Sequence, residues 1–101
     1  MIKTVDHINQ IWDNENKNMI LVFTSPSWCV PCKRLDPHLA AAAEVLTDYD
    51  VLVSDPDVAR DLSMLYEVMS VPTLFHIKNN VLVGKIESRT ALTLVKEVRN
   101  A

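Results

Sequence analysis

Apolar and polar positions change period several times along the chain, and each change marks an element. Met19-Ile20-Leu21-Val22-Phe23 is a continuous apolar run of strand length, the pattern of a strand buried on both faces. Val51-Leu52-Val53 predicts a second, shorter strand. Thr73 to Ile77 and Val81 to Val83 predict two more, joined as a hairpin through Lys78-Asn79-Asn80. Ile2 to Thr4 reads as a short first strand. Other stretches carry helical spacing. Val5, Ile8, Ile11 and Trp12 share one helical face, before a polar loop from Asn14 to Asn18. Leu35, Leu39, Ala42 and Leu46 recur at i, i+4, i+7 and i+11, and the alanine run 40–43 favours the same helix. Pro37 lies inside that helix and should kink it. Val58, Leu62, Leu65 and Met69 form the next stripe, with Asp55 as cap and Pro56 at the first helical position. Ala91, Leu94, Val95 and Val98 mark a C-terminal helix. Alternation first and a hairpin last predict an α/β fold, a mixed sheet with helices on both faces.

Composition narrows the picture. At 101 residues and 49% hydrophobic content, the chain is predicted to be one globular domain over residues 1–101. The net charge of −3 speaks against a nucleic-acid surface. No run of about 18 apolar residues is present, so no membrane span is expected. Met1-Ile2-Lys3-Thr4-Val5 is too polar for a signal peptide, which makes a cytoplasmic monomer the expectation. There a structural disulfide is out of place. Gly84 is the lone glycine, so turns that need a positive φ must use other residues, and Asn79-Asn80 is the candidate.

Both cysteines lie in Trp28-Cys29-Val30-Pro31-Cys32-Lys33, where the first strand-length run hands over to the long helix. Pro31 suits a first helical turn. Cys29 then falls at or near the N-cap, where free N–H groups and the helix dipole favour a thiolate. Lys33 and Arg34 either add positive charge beside it or form an ordinary solvated face. Cys32, one turn on, points inward and is close enough to close a small disulfide. This arrangement suits thiol–disulfide exchange, with Cys29 attacking and Cys32 resolving. Two other readings stand beside it. A zinc site needs about four ligands, and His7, His38 and His76 are the remaining candidates, better read as surface or satisfied residues. Two inert core cysteines leave Trp28, Pro31 and the helix start unexplained. No metal and no cofactor is expected.

The chain resembles thioredoxin over essentially its full length. The resemblance rests on Trp28 to Lys33, on Pro37 five residues after Cys32, and on Val71-Pro72-Thr73 ahead of a strand. It implies about five strands and four helices, a cis Val71–Pro72 bond beside the cysteines, and reduction of protein disulfides. It also implies a shallow substrate groove formed by Trp28, Val30, Pro31, Ser70, Val71, Pro72 and Ser88, in which Val71 offers its backbone to an extended substrate. A thioredoxin reductase is the implied recycling partner. Several positions depart from the family pattern. Phe23 and Val53 stand where a buried aspartate and its lysine are usual, which implies slower deprotonation of Cys32. Ser25 replaces a tryptophan, Ser88 and Asn80 replace glycines, and Val30 replaces the glycine between the cysteines. These changes touch the docking face, so a redox-silent binding subunit is a second expectation. A disulfide oxidase or isomerase is a third, disfavoured because that activity goes with a histidine between the cysteines.

Overall fold

The computed structural model describes all 101 residues. Five strands appear: β1 Ile2–Thr4, β2 Met19–Phe23, β3 Asp50–Ser54, β4 Thr73–Lys78 and β5 Val81–Ile86. Four helices join them: α1 Ile8–Trp12, α2 Val30–Val45, α3 Arg60–Leu65 and α4 Ala91–Arg99. The strand order is β1-β3-β2-β4-β5. β1, β3 and β2 run parallel, while β4 and β5 are antiparallel. The central β2 is therefore where pairing changes sense, parallel to β3 and antiparallel to β4. Every β2 side chain is buried, as its unbroken apolar run requires.

The pleat splits β2 between two cores. Ile20 and Val22 pack with Leu35, Leu39 and Ala42 of α2, with Leu46 at its C-cap, and with Leu94 and Val98 of α4. Met19, Leu21 and Phe23 pack on the opposite face with Ile11, Leu62 and Phe75. The α2 stripe and the α4 stripe are thus core, and Pro37 lies within α2 without ending it. The β4–β5 turn has positive φ at both Asn79 (51°) and Asn80 (64°), the conformation that the paired asparagines suggested. Gly84 pairs with His76 beside a register shift in β4–β5, and its φ of +152° suits glycine.

Two elements differ from the sequence expectation. α1 is short, begins at Ile8 and turns Trp12 outward, so Val5 and Ile11 alone of the four are buried. His7 and Gln10 form a capping box that sets this start. Asp55-Pro56 does not open α3. The Asp55 carboxylate accepts from Asp57 N–H, and its carbonyl accepts from Val58 and Ala59, which makes a separate turn. α3 then starts at Arg60 without a side-chain cap and lasts six residues. Of the expected stripe only Leu62 is buried; Val58 is 78% exposed, Leu65 63% and Met69 94%. A helix this short presents about one and a half turns, room for one row of contacts only.

Candidate active site around Cys29 and Cys32

The chain leaves the C-terminal end of β2, crosses residues 24–28 and enters α2 with Cys29 as N-cap. Ser25 shapes this crossing. Its carbonyl accepts from Trp28 and Cys29 N–H, and its buried hydroxyl donates to Asp55 at 2.9 Å. The Trp28 indole N–H donates to Asp57 at 2.8 Å, which pins an exposed ring beside the cysteines. The sequence marks Asp55 only as a helix cap and does not mark Asp57, because both reach the motif through the β2–β3 pairing.

Cys29 and Cys32 are joined by a disulfide, with Cα atoms 5.2 Å apart. Pro31 occupies the first turn, where no N–H is needed. The Cys32 N–H points at the Cys29 sulfur at 3.2 Å. Cys32 is wholly buried, while Cys29 keeps 4% of its surface exposed, so Cys29 is the cysteine nearer the surface. Trp28 and Val30 stand out on either side of it.

The loop from α3 to β4 closes over the pair. The Val71–Pro72 peptide bond is cis, and the Val71 carbonyl lies 3.9 Å from the Cys29 sulfur. The Val71 N–H and C=O have no partner elsewhere in the chain. Thr73 holds this loop by donating its hydroxyl to the Ser70 carbonyl at 2.6 Å. Glu67, just past α3, takes φ of 54°.

Two clefts flank the disulfide. One is lined by Trp28, Val68, Met69, Ser70 and Val71, with Asp57 at its edge. The other is lined by Pro31, Arg34, Leu35, His38, Pro72 and Arg89. Six of the groove residues that the resemblance implied thus meet around the sulfur: Trp28, Val30, Pro31, Ser70, Val71 and Pro72. Ser88 sits next to them but faces α4. Its N–H and hydroxyl both donate to Glu97, at 3.0 and 2.6 Å. The Ser88 hydroxyl is the main cause that holds the Glu97 carboxyl below its ordinary range, with the Glu87 and Ser88 N–H groups adding to it. Arg89, one residue on, is the side chain that enters the cleft.

The histidines have structural partners. The His7 ring accepts from Asn9 N–H within the α1 cap. His38 Nδ1 accepts from Ala91 N–H, at the first residue of α4. His76 is buried, and its Nε2 lies 2.6 Å from the Tyr49 hydroxyl. Phe23 is fully buried against Tyr66 and Phe75, with ring centroids at 5.8 and 6.0 Å.

The family model for thioredoxin matches residues 2–100. Among curated proteins, thioredoxin H2 of Arabidopsis thaliana is 29% identical over 92 residues, covering 91% of this chain and 68% of that protein. Mitochondrial thioredoxin-3 of Saccharomyces cerevisiae is 29% identical over 86 residues, covering 85% of this chain and 67% of that one. The crystal structure of the oxidised form of the latter superposes with a TM-score of 0.87 at 25% identity, covering 99% of this chain and 95% of that one.

Proposed function

The chain belongs to the thioredoxin family, and from that membership we infer how its cysteine pair works. The protein is a thiol–disulfide oxidoreductase acting on protein disulfides. In the reduced state, the Cys29 thiolate attacks one sulfur of a substrate disulfide. The substrate S–S bond breaks, a Cys29–substrate disulfide forms, and the first substrate thiolate leaves. Cys32 then attacks the Cys29 sulfur, the Cys29–Cys32 bond re-forms, and the second substrate thiolate departs. Two electrons pass from the dithiol to the substrate, and two protons end on its thiols. A dithiol reductant, here assigned to a thioredoxin reductase, returns the pair to the reduced state.

One observation carries the assignment of roles. Cys29 is the helix N-cap with the Cys32 N–H on its sulfur, and Val71's unpaired backbone runs alongside. The N–H and the helix N-terminus stabilise a thiolate on Cys29. An extended substrate segment can hydrogen-bond Val71 as an added strand does, which lays its disulfide across Cys29. Trp28, Val30, Pro31, Ser70 and Pro72 form the surrounding contact surface, with Ser88 holding its outer loop. We place this activity in a cytoplasmic monomer of one domain over residues 1–101. Cysteine usage supports the compartment, because both cysteines serve the redox pair and neither is a separate staple.

Insulin reduction with dithiothreitol tests the roles directly. Wild-type protein should accelerate precipitation of the freed insulin chain. Cys29→Ser should abolish the acceleration, and Cys32→Ser should stop at a trapped mixed disulfide with Cys29. A folded wild-type protein with no activity would sink the reductase reading in favour of a binding subunit.

A further inference from the structure

The two clefts beside the disulfide differ in chemistry. The Trp28–Met69 side is apolar, and the oxygens of its acid, Asp57, serve the Trp28 indole in part. The opposite side brings together Arg34 from α2, His38 from α2 and Arg89 from the loop before α4, between Pro31 and Pro72. No acidic residue lines it. The ion pairs of the molecule are Lys3–Asp50 and Arg99–Asp48, so neither Arg34 nor Arg89 is neutralised by a partner.

Arg89 is held in place without losing its charge. Its Nη1 donates to the Ile86 and Ser88 carbonyls at 2.9 and 3.0 Å, and its Nη2 leans on the Pro72 carbonyl at 3.4 Å. These acceptors are neutral. The nearest acid is Glu97, whose oxygens accept from Glu87 N–H and Ser88; Arg89 also helps hold that carboxyl low, as the smallest of the causes, without forming an ion pair with it. His38 contributes a third donor: with Nδ1 accepting from Ala91, Nε2 is the nitrogen left to carry the ring proton. A pre-placed guanidinium loses little freedom on binding, and guanidinium groups match carboxylates in shape. All this sits on a molecule whose net charge is −3, which makes the local sign a reversal of the global one.

We propose that the Arg34–His38–Arg89 cleft is a carboxylate subsite that selects polypeptide disulfides carrying an acidic side chain next to the attacked cysteine. The proposal deepens the disulfide-reductase reading and rests on it. A segment paired to Val71 would then place an apolar side chain toward Met69 and an acidic one toward Arg89. The sequence offered only Lys33-Arg34 as a basic feature. Arg89 joins Arg34 through the fold, 55 positions further along the chain.

Two disulfide peptides of equal length, with Glu or Gln flanking the cysteine, test the subsite. The rate of their reduction by the reduced protein is measured at low salt. Each rate is divided by that peptide's rate with dithiothreitol alone, which removes the effect of glutamate on the disulfide itself. The Glu peptide should be favoured roughly three- to tenfold, the range that exposed and charge-assisted pairs support. Salt at about 0.5 M should bring the ratio near one, because screening then acts over a few ångströms. An Arg34→Gln/Arg89→Gln double variant should do the same. Arg89→Lys should retain most of the preference. The ratio is the readout because loss of positive charge also lowers the thiolate fraction, equally for both peptides. If Arg89→Gln disturbs folding, Arg34→Gln alone and the salt series on wild type decide. A wild-type ratio of one at low salt, or a ratio that survives the double variant, overturns the proposal. Failure to reduce either peptide overturns the reductase reading itself, and this proposal with it.

Discussion

At the scale of single residues, Phe23 separates fold from rate. It occupies the position where the family resemblance implies a carboxylate, and it does so as a core residue between Tyr66 and Phe75. Its register partner Ser54 is fully buried with a hydroxyl that has no partner, and in a parallel pair both side chains share a face. Phe23→Asp should therefore lose about 3–5 kcal/mol of stability, the usual cost of deleting a buried aromatic. The new carboxylate would find one ready donor, the Ser54 hydroxyl. If the variant stays folded, it should reduce a model disulfide faster near neutral pH, since the family resemblance implies that a carboxylate there helps Cys32 lose its proton. Urea denaturation measures the first effect and stopped-flow kinetics the second. Equal rates in a folded variant would remove Phe23 from the proton pathway.

At the scale of elements, α3 departs furthest from its sequence pattern. Leu62 and Leu65 sit on one apparent stripe, yet only Leu62 meets the core. Leu62→Ala should cost about 2–5 kcal/mol, while Leu65→Lys should stay within about 0.5 kcal/mol of wild type. Comparable losses at both sites would mean that the outer face of α3 is covered. The end of this helix stores strain of its own. Glu67 holds φ of 54° at the position where glycine normally closes a helix. Glu67→Gly should stabilise the protein by about 1 kcal/mol, visible as a raised denaturation midpoint. Since residues 68–72 follow directly, the same change should leave the Val71 backbone free to sample more positions.

For the whole molecule, stability should depend on pH through the buried His76. Burial lowers its pKa from the ordinary 6.5, helped by the nearby Lys78 charge. As pH falls from that value toward the depressed native one, the unfolded chain takes up a proton that the folded chain refuses. Stability is thus present above about 6.5 and is lost on the acid side. Urea midpoints should drop between about pH 7 and pH 5, with a shallower slope in His76→Gln. Identical slopes would assign the titration elsewhere. Glu97, held low by Ser88, and Asp48, held low by Arg99, add their loss only further into acid.

How much of this molecule the sequence reveals follows from range. β2, the α2 stripe, the Asn79-Asn80 turn and the N-cap placement of Cys29 are local patterns and can be read directly. The failed α3 stripe shows the limit: apolar spacing reports that a face exists, not that something lies against it. Asp57 under Trp28, His38 under Ala91 and Arg89 over Pro72 are long-range meetings created by the sheet order. No periodicity announces them.

The recessed Cys29 sulfur has a consequence for which bonds this protein leaves alone. With 4% of the residue exposed in the disulfide form and Trp28 and Val30 exposed beside it, a disulfide that stands proud of its own protein should meet Cys29 most readily. Disulfides buried in a stable domain, or lying flush in a sheet, should need local opening before they are reduced. The surface thus acts as a kinetic sieve, sparing structural cross-links in neighbours while clearing those on flexible loops and unfolded chains. Discrimination of that kind needs no recognition of sequence, only a shortage of room.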